Sequence, residues 1–537
     1  MAGKTLRQTG SLLKFRLRLD RIFLPTWIVA CVAFAVGFIP MLPMIVTSEE
    51  MLVVLKEIMA SPAVVALCGI MYGDEYTFGI MYTQMMFVWA AVLVAIMNIL
   101  LVVRHTRKDE EEGRLELLNS LPVGRAAPLT SLTLLVVATN VLIAGLSALA
   151  MVAFQMESID LAGSLVFGAG LGGIGLIFAA VTMLFAQVSS TAKGTLGFSL
   201  AVLFVMYVLR AVGDLAPDAT TNPLGFVSPF GLGQRTFPYY QNLWWPIGVM
   251  LLVAAVFAVA AFALNTHRNL GIGMLPVRTG RVHAGRLLRG QVTLSLKVMR
   301  GTMIAWAIVI FVLAISYGSV FNDLGAFYEN SPMIQNLFGN QGADGSLIDP
   351  AIATLTVMMA LITVIPVVTV INHLRTEERR GRLELVYSTA SSKIIALAGY
   401  TITAVAFALL LQLLSAGGMW MGAYATMDDP IAWGTFCQAA LNVLPPMLVF
   451  VGLAVLIVGL APRAFLVVWV YLAYAFYVDY VGGMFDVPDY LTKLSPFGLA
   501  ARYPVEEIAP LPLALLLLVF VALSVLGVLA YRRRDIK

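Results

Sequence analysis

The sequence predicts an all-α polytopic membrane protein, built as two parallel repeats of six membrane-spanning helices. The mean hydropathy is +0.90 and only 12% of residues are charged, whereas about a quarter are charged in soluble proteins. Apolar runs are long enough to cross ~30 Å of hydrocarbon as helix. A charged phrase also occurs twice, as EEEGRLELLNSLPVGR at 110–125 and as ERRGRLELVYSTASSK at 378–393. These three observations together indicate the fold class.

Twelve apolar runs are predicted to span the membrane. They are 22–46, 78–103, 128–154, 161–188, 193–213, 246–265, 301–320, 350–372, 394–422, 431–460, 464–482 and 509–531. The run 431–460 is long enough to tilt, or to kink at Pro445 and Pro446.

The distribution of basic residues predicts the orientation. With twelve spans and a cytoplasmic N-terminus, 29 of the 34 Lys and Arg residues fall on the cytoplasmic side and five outside. This asymmetry follows the positive-inside rule. Both termini and both copies of the charged phrase are therefore expected in the cytoplasm. The basic residues are interpreted as topology signals beside lipid headgroups, and no nucleic-acid partner is expected.

Two further repeats support an internal duplication. LRLDRIFLPTW at 17–27 aligns with LKVMRGTMIAW at 296–306, and SPFGL occurs at 228–232 and at 495–499. Six spans in each half place both halves in the membrane with the same direction, which differs from the inverted repeats of many secondary transporters. The predicted parts are a first half (1–265) with an amphipathic interfacial helix (4–21) and a coupling segment (107–125), a basic cytoplasmic linker with a second interfacial helix (266–300), and a second half (301–537) with a coupling segment (375–393).

The repeated phrase is predicted to form a short cytoplasmic helix. Asp109–Glu112 would lie at its start, where acids suit the helix dipole, and Pro122 would end it. Leu115 and Leu118 share one face, which Leu121 continues. Such an apolar stripe packs either against the span ends or against a separate protein, and the second interpretation is favoured.

This pattern resembles the coupling segments of ABC-2 type permeases, in particular the twelve-span branch that exports polyketide antibiotics (tetronasin-type export permeases). The resemblance covers nearly the whole chain, including Arg21, Trp27 and SPFGLGQRTFPYYQNLWWP at 228–246. It implies that each coupling segment meets an ABC ATPase subunit, two copies in all, and that the SPFGL loops form short re-entrant helices. The implied ATPase-docking residues are Glu110, Glu111, Gly113, Arg114, Leu115, Glu116, Leu118, Ser120, Glu378, Gly381, Arg382, Leu383, Glu384 and Ser388. The second copy departs from the first because Pro122 has no counterpart at Ala390.

The chain itself is not expected to be an enzyme. It contains no GxxxxGK[ST] motif, so the partner ATPase would bind ATP and Mg²⁺, and no cofactor is expected in this chain. The glycine cluster around Gly168 and Gly172 lies within a span and suits close helix packing. No nucleophile–base set or HExxH motif favours a membrane enzyme. Three cysteines without a CxxC pair, and histidines at span boundaries, predict neither disulfides nor a metal site.

The alternative is a secondary multidrug transporter driven by an ion gradient. Such transporters usually keep titratable residues inside the membrane. Here Asp214 lies at a span end, where Arg210 can pair with it, and the polar mid-span residues are neutral. The predicted substrate is a hydrophobic antibiotic or drug, exported across a prokaryotic plasma membrane. The candidate cavity residues are Gln84, Met85, Asn98, Asn140, Gln412 and Asn442.

Overall fold

The structure is a computed structural model. It describes residues 5–46, 55–57, 59–73, 75–156, 158–267, 273–274, 283, 285, 288, 290–321, 348–388, 392–427, 430–481 and 489–534. These residues form helices and connecting turns, with no β-strand among them. The chain divides into two compact units, Met1–Gly280 and Arg281–Lys537.

The first unit combines long helices with short ones. They are α1 (Thr9–Leu19), α2 (Phe23–Val36), α3 (Leu42–Ile45), α4 (Pro62–Cys68), α5 (Phe78–Val103), α6 (Asp109–Glu111), α7 (Arg114–Asn119), α8 (Ala127–Ala153), α9 (Leu161–Val188), α10 (Ala192–Asp214), α11 (Pro223–Val227), α12 (Pro229–Gln234) and α13 (Trp245–His267). A 3₁₀ turn (Ile39–Met41) precedes α3, and a π turn (Arg104–Lys108) joins α5 to α6.

The second unit has a similar succession. Its helices are α14 (Gln291–Gly318), α15 (Ile348–Arg379), α16 (Leu383–Tyr387), α17 (Lys393–Thr426), α18 (Trp433–Asn442), α19 (Leu444–Leu460), α20 (Leu466–Phe476), α21 (Asp489–Thr492) and α22 (Pro510–Arg533). Its other turns are 3₁₀ at Pro462–Ala464 and Phe497–Leu499, and π at Tyr477–Val481.

Eleven helices among the described residues are long and apolar enough to cross a membrane. They correspond to eleven of the twelve predicted spans, so the chain is a polytopic membrane protein. The remaining run, 464–482, contains α20 and the π turn, which together are shorter, and residue 482 lies outside the described residues. The interruption between α18 and α19 falls at Val443, two residues before Pro445.

In the first unit, α9 is the most buried long helix. It contacts α5, α8 and α13. A Cβ on Gly168 would overlap the carbonyl oxygen of Ala144, and one on Gly172 would lie 3.1 Å from the carbonyl oxygen of Asn140. The prediction that these two glycines allow close helix packing is therefore confirmed.

In the second unit, α15 and the α18–α19 pair are the most buried spans. Helix α19 packs along α22, where Gly459 lies against the backbone of Gly527. Helix α14 packs along α17. The outer helices expose large apolar side chains such as Leu511 and Leu518, as expected of residues that face hydrocarbon.

Candidate functional site: the two coupling segments

The first coupling segment begins as a continuation of a membrane span. The helix runs from Phe78 to Glu111 through the π turn, and it breaks at Gly113, where φ is +72°. A Cβ at Gly113 would meet nothing within 4 Å, so glycine is needed there for its left-handed backbone. The predicted helix start at Asp109 is wrong. The acids end the long helix, and the separate short helix α7 begins at Arg114.

The second coupling segment has the same backbone. Helix α15 continues to Arg379, and the chain then turns at Gly381 with φ of +68° before α16. A Cβ on Gly381 would again meet nothing within 4 Å. Each unit thus extends a membrane span and ends it with the same left-handed glycine before a short helix.

In the first unit, an ion-pair chain crosses this glycine. His105 Nδ1 lies 3.6 Å from Asp109, one helical turn away. Arg114, on the far side of the break, donates to Asp109 at 3.0 Å. Arg114 also pairs with Glu112 at 2.5 Å. These contacts fix the orientation of α7 relative to the end of the span.

The second unit repeats the chain at the aligned positions. His373 Nε2 lies 3.6 Å from Glu377, and Arg382 donates to Glu377 at 3.1 Å. The order His, acid, Arg and its spacing are identical in the two halves. The sequence shows both sets of residues, but their pairing across the glycine becomes visible only in the structure.

Two predicted docking acids of the first segment are used inside the unit. Glu110 pairs with Arg107 at 3.0 Å, with side chains 9% and 1% exposed. Glu111 accepts a hydrogen bond from the backbone N–H of Ala192 at 2.8 Å, where a carboxylate stabilises the N-terminus of α10. Glu110 therefore does not present its carboxylate to a partner, because Arg107 holds it.

The exposed apolar face of α7 differs from the predicted one. Leu115 and Leu118 are half-buried, whereas Leu117 is 71% and Leu121 56% exposed. Leu121 lies in the bend after α7, which ends at Asn119, so helical spacing did not identify this pair of exposed leucines. Exposed beside these leucines are Glu116 and Ser120.

The second segment also turns part of its predicted docking set inward. Glu378 forms an ion pair with Arg534, and Leu383 is 5% exposed. Arg382, Glu384 and Ser388 are exposed. The predicted docking roles of Glu378 and Leu383 are thus corrected, since Glu378 is paired with Arg534 and Leu383 is packed within the unit.

The first segment is held by the interfacial helix α1. Arg16 is buried and donates to the carbonyl oxygens of Pro128 at 2.7 Å and His105 at 3.3 Å. Burial lowers the pKa of the Arg16 guanidinium to about 10, although Asp109 and Asp20 act in the opposite direction. Asp20, fully buried, pairs with Arg104 at 3.0 Å and with His105. Sequence reasoning missed these anchors because charged residues near a span normally stay at the interface.

The second segment is held by the last helix. The hydroxyls of Tyr387 and Tyr531 lie 2.9 Å apart, and Lys393 Nζ donates to the carbonyl oxygen of Arg534 at 2.9 Å. Burial raises the pKa of Tyr387, against the hydrogen bond with Tyr531. The end of α22 therefore closes over the end of α16.

A profile of the family described as "Multidrug efflux system permease Rv1217c, C-terminal domain" matches residues 10–264 and 288–532. The matched residues contain both coupling segments. The chain belongs to this family. It is also 31% identical to the Multidrug efflux system permease protein Rv1217c of Mycobacterium tuberculosis (strain ATCC 25618 / H37Rv) over 548 aligned residues, which cover 100% of this chain and 96% of that protein.

In this member of the permease family, the polar mid-span residues of the first unit pack between helices. Asn98 and Asn140 exchange two amide hydrogen bonds, of 3.0 and 2.8 Å. Gln84 donates to the carbonyl oxygens of Met59 and Gly69 and accepts from Tyr76. All three amides are at most 1% exposed, so the structure gives them a packing role instead of the predicted cavity surface.

The second unit gives its mid-span amides the same packing role. Gln412 donates to Thr363 at 2.9 Å, and Asn442 donates to the carbonyl oxygen of Ala501 at 2.6 Å. Both are at most 3% exposed. Of the predicted cavity set, Met85 alone is half-buried. Burying an amide in an apolar span is costly unless it is hydrogen-bonded, which explains the inward placement.

The first SPFGL stretch is buried in its unit, and the second is buried at its Ser, Pro and Phe but exposed at Leu499. Ser228 Oγ donates to the carbonyl oxygen of Met206 at 2.7 Å, and α12 is buried throughout. Ser495 Oγ donates to Asp479, and Phe497 is 4% exposed. Within the described part of the chain, no group of His, Cys, Asp and Glu has the arrangement of a metal site.

Proposed function

We propose that the chain is the membrane-spanning permease subunit of an ATP-driven exporter, which moves hydrophobic or amphiphilic drugs out of a prokaryotic cell. The relative from Mycobacterium tuberculosis is named a multidrug efflux system permease, and this supports drugs as the substrate class. The resemblance to ABC-2 permeases supports ATP as the energy source, with a tetronasin-type antibiotic exporter as the more specific form of the proposal.

The proposed topology is twelve spans in two parallel repeats, with both termini in the cytoplasm. The two stretches that match the family profile, 10–264 and 288–532, are similar in length and fall one in each half, which supports the repeat. The charge asymmetry of 29 to 5 basic residues supports the orientation. Localisation in the plasma membrane follows from the same proposal.

The geometry of the coupling segments carries the proposal for separate ATPase subunits. Each segment is a short helix attached to the end of a long span by a left-handed glycine and an ion-pair chain. On the first, Leu117 of α7 and Leu121, in the bend that follows α7, are exposed beyond the span. Exposed apolar residues grouped on a surface are typical of a protein-interaction site. The chain has no P-loop motif, so the docked partner would bind ATP and Mg²⁺.

The ion pairs that join each short helix to its span suggest how a movement of the ATPase subunits would reach the membrane. Closure of the ATPase subunits on ATP would move α7 and α16. Because Arg114 and Arg382 bridge the glycine breaks to Asp109 and Glu377, each short helix would carry the end of its span, α5 or α15, with it. The path for the drug would then reorganise from these two helices.

For the alternative, an ion-driven transporter, the described acid at a span end is already paired. Asp214, the acid at the end of α10, pairs with Arg210 at 3.3 Å, as predicted, and with Arg235 at 3.4 Å. Both carboxylate oxygens of Asp214 are thus engaged by arginines within the unit, which favours a structural role for this acid over transport of an ion.

The test removes the exposed leucines from the full-length chain. Leu117→Asp with Leu121→Asp should reduce the co-purifying P-loop ATPase by more than about tenfold, since each buried leucine contributes roughly 1.5–3 kcal/mol. The matched control, Leu117→Met with Leu121→Met, should retain it. Both variants should elute as folded protein, because these side chains are largely exposed.

Transport in liposomes separates the two mechanisms. With the ATPase present, drug movement should require ATP and fail in the aspartate variant. Drug movement driven by an ion gradient without any ATPase would instead establish the secondary transporter.

A further inference from the structure

A groove lies between the C-terminal ends of α19 and α22, which the proposed topology places on the cytoplasmic side. It encloses about 460 Å³, within the range of roughly 300–1,000 Å³ that is typical of ligand pockets. Its apolar lining consists of Gly459, Leu460, Leu526, Leu529 and Ala530. Its polar end consists of Arg533 and Arg534. The α19–α22 groove is therefore amphipathic along its length.

The groove exists because the two helices cross without side chains between them. A Cβ on Gly459 would overlap the carbonyl oxygen of Gly527, so the backbones of α19 and α22 touch at this level. Next to the crossing, Leu460, Leu526 and Leu529 are each at least 50% exposed. These leucines form the walls of a recess that the glycines leave open.

The two arginines of the groove differ in what they contact. Arg534 donates to the carbonyl oxygen of Val458 and pairs with Glu378, so its charge is compensated within the unit. Arg533 is exposed, and its guanidinium has no ion pair or hydrogen bond to any described residue. The polar end of the groove therefore carries a positive charge that is not compensated within the described chain.

The charges next to this end are also basic. Arg532 precedes the two groove arginines, and Arg463 follows α19 by three residues; both are exposed. Glu378 is the acid bound there, and Arg534 already holds it. Residues 535–537, which contain one acid and one base, lie outside the described residues. Charge complementarity thus favours an anionic ligand.

We propose that the α19–α22 groove binds an anionic phospholipid, with an acyl chain against the leucines and the phosphate on Arg533. The planar guanidinium matches the oxygens of a phosphate, and basic pockets between membrane helices on the cytoplasmic side suit anionic head groups. A zwitterionic lipid would fill the apolar walls equally well but would bring its own positive charge to the arginine. The groove therefore selects by head group, which is a property beyond the proposed export function.

The experiment reconstitutes the full-length permease in phosphatidylcholine vesicles that contain a small amount of photoactivatable phosphatidylglycerol. After irradiation, the labelled peptides are identified by mass spectrometry. Label is expected on α19 near Leu460 and on α22 near Leu529. Arg533→Gln should reduce this label by about tenfold, because a charge-assisted contact with the phosphate is lost. A photoactivatable phosphatidylcholine should label the same residues much less.

Two matched controls separate the groove from the general surface. Arg532 is exposed one residue away but does not line the groove. Arg532→Gln should therefore reduce the label by no more than about fivefold, the contribution of one basic residue near an anionic surface. Ala530→Phe should fill the groove and remove the label, whereas Val525→Phe, an exposed position outside the lining, should retain it.

Three outcomes would overturn the proposal. Equal labelling by the two head groups would mean that the groove is an ordinary lipid boundary. Label that survives Arg533→Gln unchanged would remove the arginine from the site. Loss of the label on addition of free glycerol phosphate would show that the groove takes a soluble anion instead of a lipid. Each result is independent of ATPase co-purification, so failure here is distinguishable from failure of the proposed exporter.

Discussion

The first coupling segment is anchored by buried charges, whereas the second is anchored by the end of the last helix. In the first unit, Asp20 pairs with Arg104 and His105, and Arg16 reaches two backbone carbonyls. In the second unit, Arg534 pairs with Glu378. The same glycine-ended span is therefore compatible with two unrelated anchors. The two units share the turn and the short helix that follows it, but not the contacts that hold them.

Aligned residues show how the anchors diverged. Asp20 aligns with Met299, which is buried at 4% exposure, and Arg16 aligns with Ser295. Ser295 Oγ lies 2.6 Å from Thr403 Oγ1, a neutral contact. The second interfacial region thus packs through neutral groups at the positions where the first uses ions.

The residues that lead from each segment to the next span also make different contacts. Gly124 donates its N–H to the carbonyl oxygen of Arg7, and a Cβ there would overlap the carbonyl oxygen of Thr5. The aligned Ser392 instead accepts from the N–H of Ile395 and caps α17. The connection after the first segment is therefore bonded to the N-terminal residues, whereas the connection after the second segment caps the helix that follows it, α17.

The largest expected effect tests the buried charges. Asp20→Leu should lower the free energy of unfolding in detergent by about 3–5 kcal/mol, because Arg104 and His105 would lose a buried partner. The matched change Met299→Leu should cost less than about 1.5 kcal/mol. Denaturant titration measures both. Similar losses in the two variants would mean that the ionic anchor is no more important than the apolar one.

A smaller effect is expected at the tyrosine pair of the second unit. Tyr387→Phe should cost about 1–3 kcal/mol, since the hydroxyl of Tyr531, which is 0% exposed, would stay buried without this hydrogen bond. Changing both tyrosines to phenylalanine should cost less than the single change, because both polar groups are then removed. The same titration measures the two variants, and an additive double variant would argue against the contact.

The smallest effect should be the same in both units. Gly113→Ala and Gly381→Ala should each cost about 1–2 kcal/mol from left-handed backbone strain alone, because neither site is crowded. Equal losses would sharpen the comparison by showing that the coupling turn is equivalent in the two halves. A clearly unequal pair would show that one turn is strained differently by its anchor.

The sequence predicted most of the fold because hydropathy is a local property. A run such as 161–188 must be helical to satisfy its backbone in hydrocarbon, and the structure has α9 at these residues. Helix packing at Gly168 and the ion pair of Arg210 with Asp214 were also predictable, since both follow from helical spacing. The start of the coupling helix was not, because acids suit a helix start as well as a salt-bridged helix end.

By itself, the sequence determined the polytopic class and the position of the two GRLEL phrases, since span length, apolar composition and the repeated phrase are read along the chain. Tertiary structure alone decided which charges are enclosed and which leucines are presented. Arg16 meets residues 89 and 112 positions away, and the break at Gly113 sets which face of α7 points outward. Burial depends on contacts between distant segments, and spacing along one segment does not encode those contacts.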